Sequence, residues 1–254
     1  MYVFDNAAPQ APARLRALAE VFDPGTIRQL DARGIAEGWR CLEVGGGMGT
    51  MTKWLSARVG PDGSVLTTDI DTRHLESLSL VNVEIRHHDV VEDALPTESF
   101  DLAYTRLVLE HVRDPARALA NMVQAAKPGG WVVIEDFELA PIDPDTEVPK
   151  TFVAMRQVIA SVGVDQRFGR SLSRRLRSCG LEDVMAEGRV LLWSGSTAGT
   201  TLMRLNAEQL RDRILATGLV TADQYAADLR RLEDEAFELR APTLWTAWGR
   251  RPAR

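Results

Sequence analysis

The chain has 254 residues, of which 30 are basic and 36 acidic, and its formal net charge at pH 7 is -6. Hydrophobic residues make up 45% of the sequence, a share typical of folded globular proteins and too high for a disordered one. The acidic balance argues against a nucleic acid or an anionic membrane as the main partner. No stretch approaches the roughly 18 consecutive apolar residues of a membrane span, and the first ten residues have no export signal.

The cysteine and histidine content argues against a structural metal. Cys41 and Cys179 are too few for a disulfide framework and lack the spacing of a zinc-binding pair. His87 and His88 have no cysteine or histidine neighbour at ligand spacing. We therefore expect a cytoplasmic protein with no metal site, and magnesium on the acidic run of residues 135–138 is the alternative left open.

The first half of the chain alternates between strand and helix patterns. A helical stretch over residues 11–30, with a break at Asp23-Pro24-Gly25, comes before it. Short apolar runs predict five buried strands, at Cys41–Val44, Ser64–Asp69, Val83–His87, Phe100–Thr105 and Trp131–Asp136. Helical patterns over Thr50–Val59 and from Asp114 to Ala126 supply crossovers between them. This alternation predicts an α/β fold with a parallel sheet.

The second half is less regular. Residues 140–145 are rich in Pro and Asp, and Pro149–Val162 reads as a helix followed by a loop to Gly169, which together suggest a lid over a binding site. Further patterns predict a helix at Leu172–Ser178, a strand within Val184–Trp193, helices Asn206–Ala216 and Thr221–Ala236 capped by Asn206 and Thr221, and a closing strand Thr243–Trp248.

A glycine-rich segment follows the first predicted strand and opens a helix. Glycines there permit positive φ angles, and the helix N-terminus offers free N–H groups to a ligand. The spacing does not fit the G-x-G-x-x-G of a dinucleotide fold, because the last glycine position is occupied by Thr50 or Thr52. It does fit E-x-G-x-G-x-G, with Glu43, Gly45, Gly47 and Gly49 at alternate positions.

This pattern resembles the first motif of the class I (Rossmann-like) S-adenosylmethionine-dependent methyltransferases of the small-molecule type. The resemblance extends from about Trp39 to Phe137, because other motifs follow in order: Asp69 26 residues after Glu43, Asp89 at the end of the third strand, the run Phe100–Val112, and Lys127-Pro128-Gly129-Gly130. It implies a seven-stranded, mostly parallel sheet with helices on both faces, an antiparallel last strand and a small helical lid. It also implies a single domain over residues 1–254, with an N-terminal helical cover at 1–38 and a lid insertion at 140–170.

The resemblance implies S-adenosyl-L-methionine as cofactor and assigns most of its binding site. Asp69 would bind the ribose hydroxyls and Asp89 the adenine amino group, while Glu43 would order the glycine loop or reach the amino group of the cofactor's methionine part through water. Asp71, the rival for the ribose role, reads better as a helix N-cap. The implied cofactor-binding residues are Tyr2, Glu43, Gly45, Gly46, Gly47, Gly49, Asp69, Ile70, Asp89, Val90, Thr105, Arg106 and Leu107.

Methyl transfer needs alignment more than acid–base chemistry, but a nearby base can take the acceptor's proton. His111 is the leading candidate, and Glu135 and Asp136 could act as base or bind a cationic acceptor. The resemblance thus implies methyl transfer to O, N or C of a small organic acceptor, possibly in specialised metabolism. Two alternatives stay open: non-methylating cyclisation or rearrangement on the same fold, and a non-catalytic cofactor-binding partner protein. No nucleic acid or membrane partner is expected, and homodimer formation is undecided.

Overall fold

A seven-stranded sheet forms the centre of the fold in the computed structural model, which describes residues 3–140 and 148–253. Its strands, in chain order, are β1 (Arg40–Val44), β2 (Ser64–Asp69), β3 (Val83–His87), β4 (Phe100–Arg106), β5 (Ala126–Glu138), β6 (Glu182–Arg189) and β9 (Thr243–Arg250). They lie side by side in the order β3-β2-β1-β4-β5-β9-β6. Two short strands, β7 (Leu192–Ser194) and β8 (Glu238–Arg240), form a separate antiparallel pair.

The sheet is mostly parallel, as predicted. β1 pairs in parallel with both β2 and β4, and β5 continues the parallel arrangement beside β4. The N–H of Gly129 donates to the Arg251 carbonyl at 2.8 Å and that of Arg251 to the Gly130 carbonyl at 2.9 Å, so the start of β5 meets the end of β9 and the last strand is antiparallel. Strand order reverses between β1 and β4, where open α/β sheets leave a crevice at their carboxyl edge.

Eight α-helices accompany the strands in the described residues. They are α1 (Ala11–Asp31), α2 (Thr50–Val59), α3 (Pro115–Ala125), α4 (Lys150–Ser161), α5 (Leu172–Ser178), α6 (Ala198–Gln209), α7 (Arg211–Ala216) and α8 (Ala222–Arg231). Short 3₁₀ turns occur at Thr72–His74, Leu109–His111 and Gly169–Ser171. None of these helices is both long enough and apolar enough to cross a membrane.

The chain divides into two compact units. The larger comprises Asp23–Phe137, Phe168–Gly188 and Leu244–Arg254, and contains the seven-stranded sheet almost entirely. The smaller comprises Met1–Phe22, Glu138–Arg167 and Arg189–Thr243, and contains α4, α6, α7, α8 and the β7–β8 pair. The smaller unit draws on more of the chain than the predicted cover and lid, and the single-domain arrangement stays a prediction.

The core of the larger unit covers both faces of the sheet. Successive strand residues point to opposite faces, so Val132 and Val133 enter different apolar clusters, as do Leu102 and Ala103. Val132 and Ala103 pack in the cluster that includes residues of α3 and α5, and Val133 and Leu102 in the one that includes residues of α2 and the end of α1. Burial on both faces explains why these strands are continuous apolar runs in the sequence.

The predicted break at Asp23-Pro24-Gly25 is wrong, because α1 is continuous with Pro24 inside it. Proline in a helix interior removes one backbone hydrogen bond and costs about 3 kcal/mol. Two residues that follow, Thr26 and Leu30, are completely buried, and the Arg28 guanidinium donates to the Pro24 carbonyl at 3.1 Å. These interactions offset the cost of the proline.

The cap predicted at Asn206 is also wrong, because Asn206 lies inside α6. The helix begins instead after Thr197, whose N–H donates to the Thr200 hydroxyl at 3.1 Å, and a separate helix α7 follows at Arg211. By contrast, Thr221 caps α8 as predicted, since its hydroxyl accepts the N–H of Gln224 at 3.1 Å.

Two strand predictions need correction. The run Val184–Trp193 is not one strand but overlaps two, β6 and β7, which belong to different sheets. The fifth strand does not end at Asp136 but continues to Glu138. Glu135, Asp136 and Glu138 therefore lie within a strand instead of following one. Alternation along the strand then determines which of them point to the same face of the sheet.

Candidate active site

The glycine loop lies between β1 and α2 at the carboxyl edge of the sheet. Gly45, Gly47 and Gly49 have φ angles of 82°, 53° and 73°, a region that favours glycine over other residues. The N–H groups of Gly45 and Gly46 both donate to the Thr68 carbonyl, at 2.7 and 3.1 Å, which ties the loop to β2. The positive φ angles at these positions thus explain why glycine occurs at every second residue of the loop.

The loop is packed at Gly45, Gly46 and Gly49 and open at Gly47. A side chain at Gly45 would collide with Val108, and one at Gly49 would collide with Leu78. A Cβ at Gly47 would meet nothing within 4 Å. The backbone at Gly47 is therefore accessible to a ligand, while Val108 and Leu78, which the sequence analysis missed, hold the loop in shape. In the sequence, Val108 is an apolar residue shortly after β4, and Leu78 is one in the segment between β2 and β3.

Asp69 ends β2 beside this opening. Its Oδ2 accepts the N–H of Gly47 at 3.0 Å and its Oδ1 the N–H of Asp71 at 2.9 Å. Burial raises the pKa of Asp69, and the two backbone donors oppose that rise. Ile70 follows with its side chain 66% exposed, which is unusual for an isoleucine. Asp71 caps the 3₁₀ turn Thr72–His74, as predicted.

Asp89 and Val90 follow β3 at the same edge. The His88 N–H donates to the Asp69 carbonyl at 2.9 Å, which fixes the start of this segment next to β2. Asp89 is partly exposed and its Oδ1 accepts the N–H of Val91 at 2.8 Å, while the Val90 side chain is buried. The structure thus brings together the glycine loop, Asp69 and Asp89. Tyr2, the remaining predicted contact at the N-terminus, lies outside the described residues.

Glu43 lies beneath the loop with its carboxyl group completely enclosed. Its Oε2 accepts hydrogen bonds from the Thr52 hydroxyl at 2.5 Å and the Thr67 hydroxyl at 3.1 Å. Burial raises the pKa of Glu43 to about 7, against the lowering effect of these two donors. Glu43 thereby joins β1, β2 and α2, and its role in ordering the loop stays a prediction.

The end of β4 faces the loop from the other side. The Thr105 hydroxyl donates to the Val44 carbonyl at 2.8 Å, and the Leu107 N–H donates to the Glu135 carbonyl at 2.7 Å. Leu107 has a φ of 57°, which is rare for a branched residue and typical of functional sites. Thr105 and Leu107 thus fix the turn that carries Val108 over Gly45.

Arg106 and Glu135 belong to one buried network. Arg106 pairs with Asp23 at 2.6 Å and donates to the Thr26 hydroxyl at 2.9 Å. Glu135 accepts the Thr26 and Thr246 hydroxyls on its two oxygens, both at 2.5 Å. The structure therefore gives both side chains partners within the protein, although the sequence suggested that Arg106 faces the cofactor and that Glu135 acts as a base.

The pKa of Arg106 shows how this network holds its charge. Burial lowers the pKa, but Tyr104, Asp23 and Glu135 raise it more, and the net shift is upward. Burial also raises the pKa of the Tyr104 hydroxyl well above its usual value, so Tyr104 is neutral near pH 7. The two carboxylates are then what keeps Arg106 charged.

His111 and Asp136 lie in a second group, which includes an acid that the sequence analysis missed. His111 Nε2 is 3.4 Å from Oε1 of Glu110. Glu110 and Asp136 are both buried, and burial raises the pKa of each well above its ordinary range, with the charge of Asp136 adding to the effect on Glu110. The signal for Glu110 was its position directly before His111. No group of three or more potential metal ligands occurs in the part of the chain that the structure describes.

A family model described as a methyltransferase domain matches residues 8–219. The chain belongs to this methyltransferase family. S-Adenosylmethionine is the cofactor of the family, and the open backbone at Gly47 beside Asp69 fits such a ligand. Family membership and the sheet order together confirm the predicted fold class.

The sequence matches to similar proteins extend over only part of each of those proteins. An uncharacterized 37.1 kDa protein in transposon Tn4556 of Streptomyces fradiae is 32% identical over 182 residues, which are 68% of this chain and 52% of that protein. The ubiquinone/menaquinone biosynthesis C-methyltransferase UbiE of Pasteurella multocida is 27% identical over 168 residues, 62% of this chain and 63% of that one. The chain thus spans about half to 63% of the length of these curated relatives.

Solved structures share the fold at low identity. A S-adenosylmethionine-dependent methyltransferase from Aquifex aeolicus has a TM-score of 0.52 at 18% identity, over 94% of this chain and 98% of that chain. A phosphoethanolamine N-methyltransferase 2 from Haemonchus contortus has a TM-score of 0.61 at 15% identity, over 97% and 58%. The [4+2]-cyclase SpnF has a TM-score of 0.53 at 18% identity, over 100% and 87%. The likeness to these structures concerns the fold alone.

Proposed function

We propose that this methyltransferase binds S-adenosylmethionine at the glycine loop and transfers its methyl group to O, N or C of a small organic acceptor. The observation that carries the proposal is Gly47, whose backbone is open to a ligand, has a φ of 53° and donates its N–H to Asp69. If the glycines served only to make a tight turn, the loop would need no open backbone position beside a partly buried carboxylate. Gly45, Gly46 and Gly49 would shape the loop around the methionine part of the cofactor.

The remaining cofactor contacts divide into two groups. Asp69 and Asp89 supply carboxylate oxygens for the ribose hydroxyls and the adenine amino group. The exposed side chain of Ile70 and the backbone of Val90 would border the adenine ring, and Leu107 the sulfonium end. Tyr2 stays a predicted contact. The other predicted residues, Glu43, Thr105 and Arg106, support the site through their internal hydrogen bonds.

S-Adenosylmethionine supplies a methyl group on a sulfonium sulfur, and the protein's task is to align the acceptor and receive its proton. We assign the proton to His111, because this imidazole lies beside a buried acid at the carboxyl edge of the sheet. Asp136 belongs to the same group as His111. Glu135 has both oxygens engaged by threonine hydroxyls, which supports a structural role over a catalytic one.

The acceptor is proposed as a small molecule because no feature of the sequence points to a macromolecule. One matched relative is named as a C-methyltransferase, and a structural neighbour was solved with phosphomonomethylethanolamine and S-adenosylhomocysteine. Action in the cytoplasm and in specialised metabolism, without a nucleic acid or membrane partner, is part of the same proposal, and homodimer formation stays undecided. The fold also occurs in a [4+2]-cyclase, so product mass must separate methylation from cyclisation.

Isothermal titration with S-adenosylhomocysteine tests the cofactor site. Gly47→Trp should abolish binding, because the indole would fill the space where the ligand lies. Gly34→Trp is the matched control, since Gly34 also has a positive φ, 75°, and open surroundings, but lies outside the loop. Asp69→Ala should weaken binding about 10- to 100-fold, the effect of removing a charged hydrogen-bond partner. Undiminished binding in both Gly47→Trp and Asp69→Ala would refute the assignment, as would equal losses in the two tryptophan variants.

A further inference from the structure

Asn121 joins α3 to the turn at residues 89–93 that follows β3. Its side-chain amide nitrogen Nδ2 donates to the Val90 carbonyl at 2.8 Å, although the two residues are 31 positions apart in the chain. Asn121 lies in the interior of α3, where asparagine is one of the less favourable residues for a helix. Its neighbours Ala118 and Met122 are completely buried in the same apolar cluster as Val90. The Asn121 amide therefore reaches the turn from a well-packed helix.

This hydrogen bond acts on a peptide unit whose N–H holds Asp89. The Val90 carbonyl and the Val91 N–H belong to the same peptide unit, and peptide units are planar. The Val91 N–H donates to Asp89 Oδ1 at 2.8 Å. Because the unit is planar, fixing the direction of its carbonyl also fixes the direction of its N–H. Asn121 thus orients one oxygen of the Asp89 carboxylate through the backbone.

The backbone of Asp89 is tied to the rest of the turn. Its N–H donates to Asp93 Oδ2 at 2.8 Å, and its carbonyl accepts the N–H groups of Glu92 and Asp93 at 3.1 and 2.8 Å. Asp89 itself is partly exposed, and the described residues supply no hydrogen bond to its Oδ2. Oδ2 is thus the carboxylate oxygen that remains for a ligand, on a residue whose backbone and other oxygen are both fixed.

We propose that Asn121 is a positioning residue, which holds the Val90–Val91 peptide so that Asp89 Oδ2 meets the amino group of adenine. The inference rests on the proposed function, in which Asp89 binds that amino group. A hydrogen bond to a charged acceptor is strong only when the donor and acceptor are aligned, because such bonds weaken steeply as the angle closes. Asn121 thereby favours adenine over purines that lack this amino group, and it acts through the turn and not by contact with the cofactor.

Exposed ion pairs between the same turn and the start of α3 provide a matched control. Glu92 pairs with Arg113, and its Oε2 lies 3.9 Å from the Arg117 guanidinium. The three side chains are between 46% and 64% exposed, so water screens their charges and each pair contributes little. Neither pair involves the Val90–Val91 peptide. Glu92→Gln should therefore remove contacts between this turn and α3 without changing the orientation of Asp89.

Titration of the full chain with two ligands tests the proposal. One ligand is S-adenosylhomocysteine, and the other is its analogue with purine in place of adenine, which lacks the amino group. In wild type the amino group should strengthen binding about 10- to 100-fold, the effect of a hydrogen bond to a charged group. In Asn121→Leu, which has a similar size but no donor, this ratio should fall by about 10-fold, whereas Glu92→Gln should keep the wild-type ratio. Equal losses for both ligands in Asn121→Leu, as a merely structural role would give, would overturn the proposal, and so would no loss.

Hydrogen exchange of the ligand-free chain, measured by NMR, separates this inference from the proposed function. The Val91 amide should exchange about 10-fold faster in Asn121→Leu than in wild type, because its bond to Asp89 loosens, and at the wild-type rate in Glu92→Gln. Equal exchange of Val91 in wild type and Asn121→Leu would overturn the inference whatever the ligands do.

Failure of wild type to bind S-adenosylhomocysteine would contradict the proposed function, and the cofactor role of Asn121 with it. The exchange result would still show whether Asn121 fixes the turn. If Asn121→Leu fails to fold, Asn121→Ala replaces it in both experiments, because alanine is the most favourable residue in a helix.

Discussion

The buried Arg106–Asp23 ion pair should dominate the stability of the sheet's carboxyl edge. The Arg106 side chain is 9% exposed and that of Asp23 18%, and their closest atoms are 2.6 Å apart. Replacing Arg106 by methionine keeps most of its length and apolar stem but leaves Asp23 without its partner and Glu135 without a nearby cation. Breaking a buried pair in this way costs about 3–5 kcal/mol of unfolding free energy.

Urea unfolding at pH 7 would measure this cost, and calorimetry would give it as a shift in Tm. For a chain of this size each kcal/mol moves Tm by about 2–4 °C, so Arg106→Met should lower it by roughly 6–20 °C. The matched control is Arg58→Met. Arg58 pairs with Asp31 at 3.1 Å, but the two side chains are 41% and 48% exposed, so water screens them and the loss should stay under about 1 kcal/mol.

A loss in Arg106→Met no larger than that in Arg58→Met would refute this account of the network. Asp23→Asn should be destabilising too, and the double variant Arg106→Met/Asp23→Asn should lose less than the sum of the two single variants, since both remove the same interaction. Titration of Arg106→Met with S-adenosylhomocysteine adds a functional readout. Retained affinity would agree with a structural role for Arg106 through its internal partners. Lost affinity in a folded variant would instead indicate that Arg106 contacts the cofactor directly.

Two further predictions concern buried acids. Because the pKa of Glu43 rises to about 7 on folding, its protonation stabilises the folded state; that contribution is complete below about pH 4.5 and is lost as pH rises through 7. Glu43→Gln should therefore gain up to about 3 kcal/mol on wild type between pH 5 and pH 8 in urea unfolding, and parallel pH profiles would contradict this. In the smaller unit, buried Asp228 accepts the N–H of Thr151 at 3.0 Å, so Asp228→Ala should cost about 1–3 kcal/mol and speed hydrogen exchange in α4. The control Thr221→Ala should speed exchange in α8 only, and faster exchange in α4 there too would count against a specific role for Asp228.

The sequence predicted the central strands well because burial on both faces leaves a local signal. β2 and β3 have the predicted bounds, and β1 and β4 differ from them by one residue. Prediction was weakest over residues 184–240, where short strands and helices alternate and the exposed apolar residues Val190, Leu191 and Leu192 mimic a buried strand. The two faces of such a short segment contact different surroundings. Hydrophobic periodicity alone therefore does not assign the segment to a strand or a helix.

The site shows the same division between local and distant signals. The glycine loop and Asp69 were predictable because their spacing reflects backbone geometry within one βαβ unit. The partners of Arg106 and Glu135 were not, since Asp23, Thr26 and Thr246 lie between 80 and 111 residues away in the chain. No spacing rule connects residues so far apart, and only the folded sheet brings them together.

Strand alternation explains why the acids after Ile134 do not form one catalytic cluster. Val132 and Ile134 pack in the apolar cluster that contains α3 residues, so Asp136 continues that face. Val133 packs in the opposite cluster, so Glu135 continues the other face, where Arg106 and Thr26 lie. The two neighbouring acids therefore serve separate networks. Substituting Glu135 should act on stability together with Arg106, whereas substituting Asp136 should leave the hydrogen bonds of that network in place.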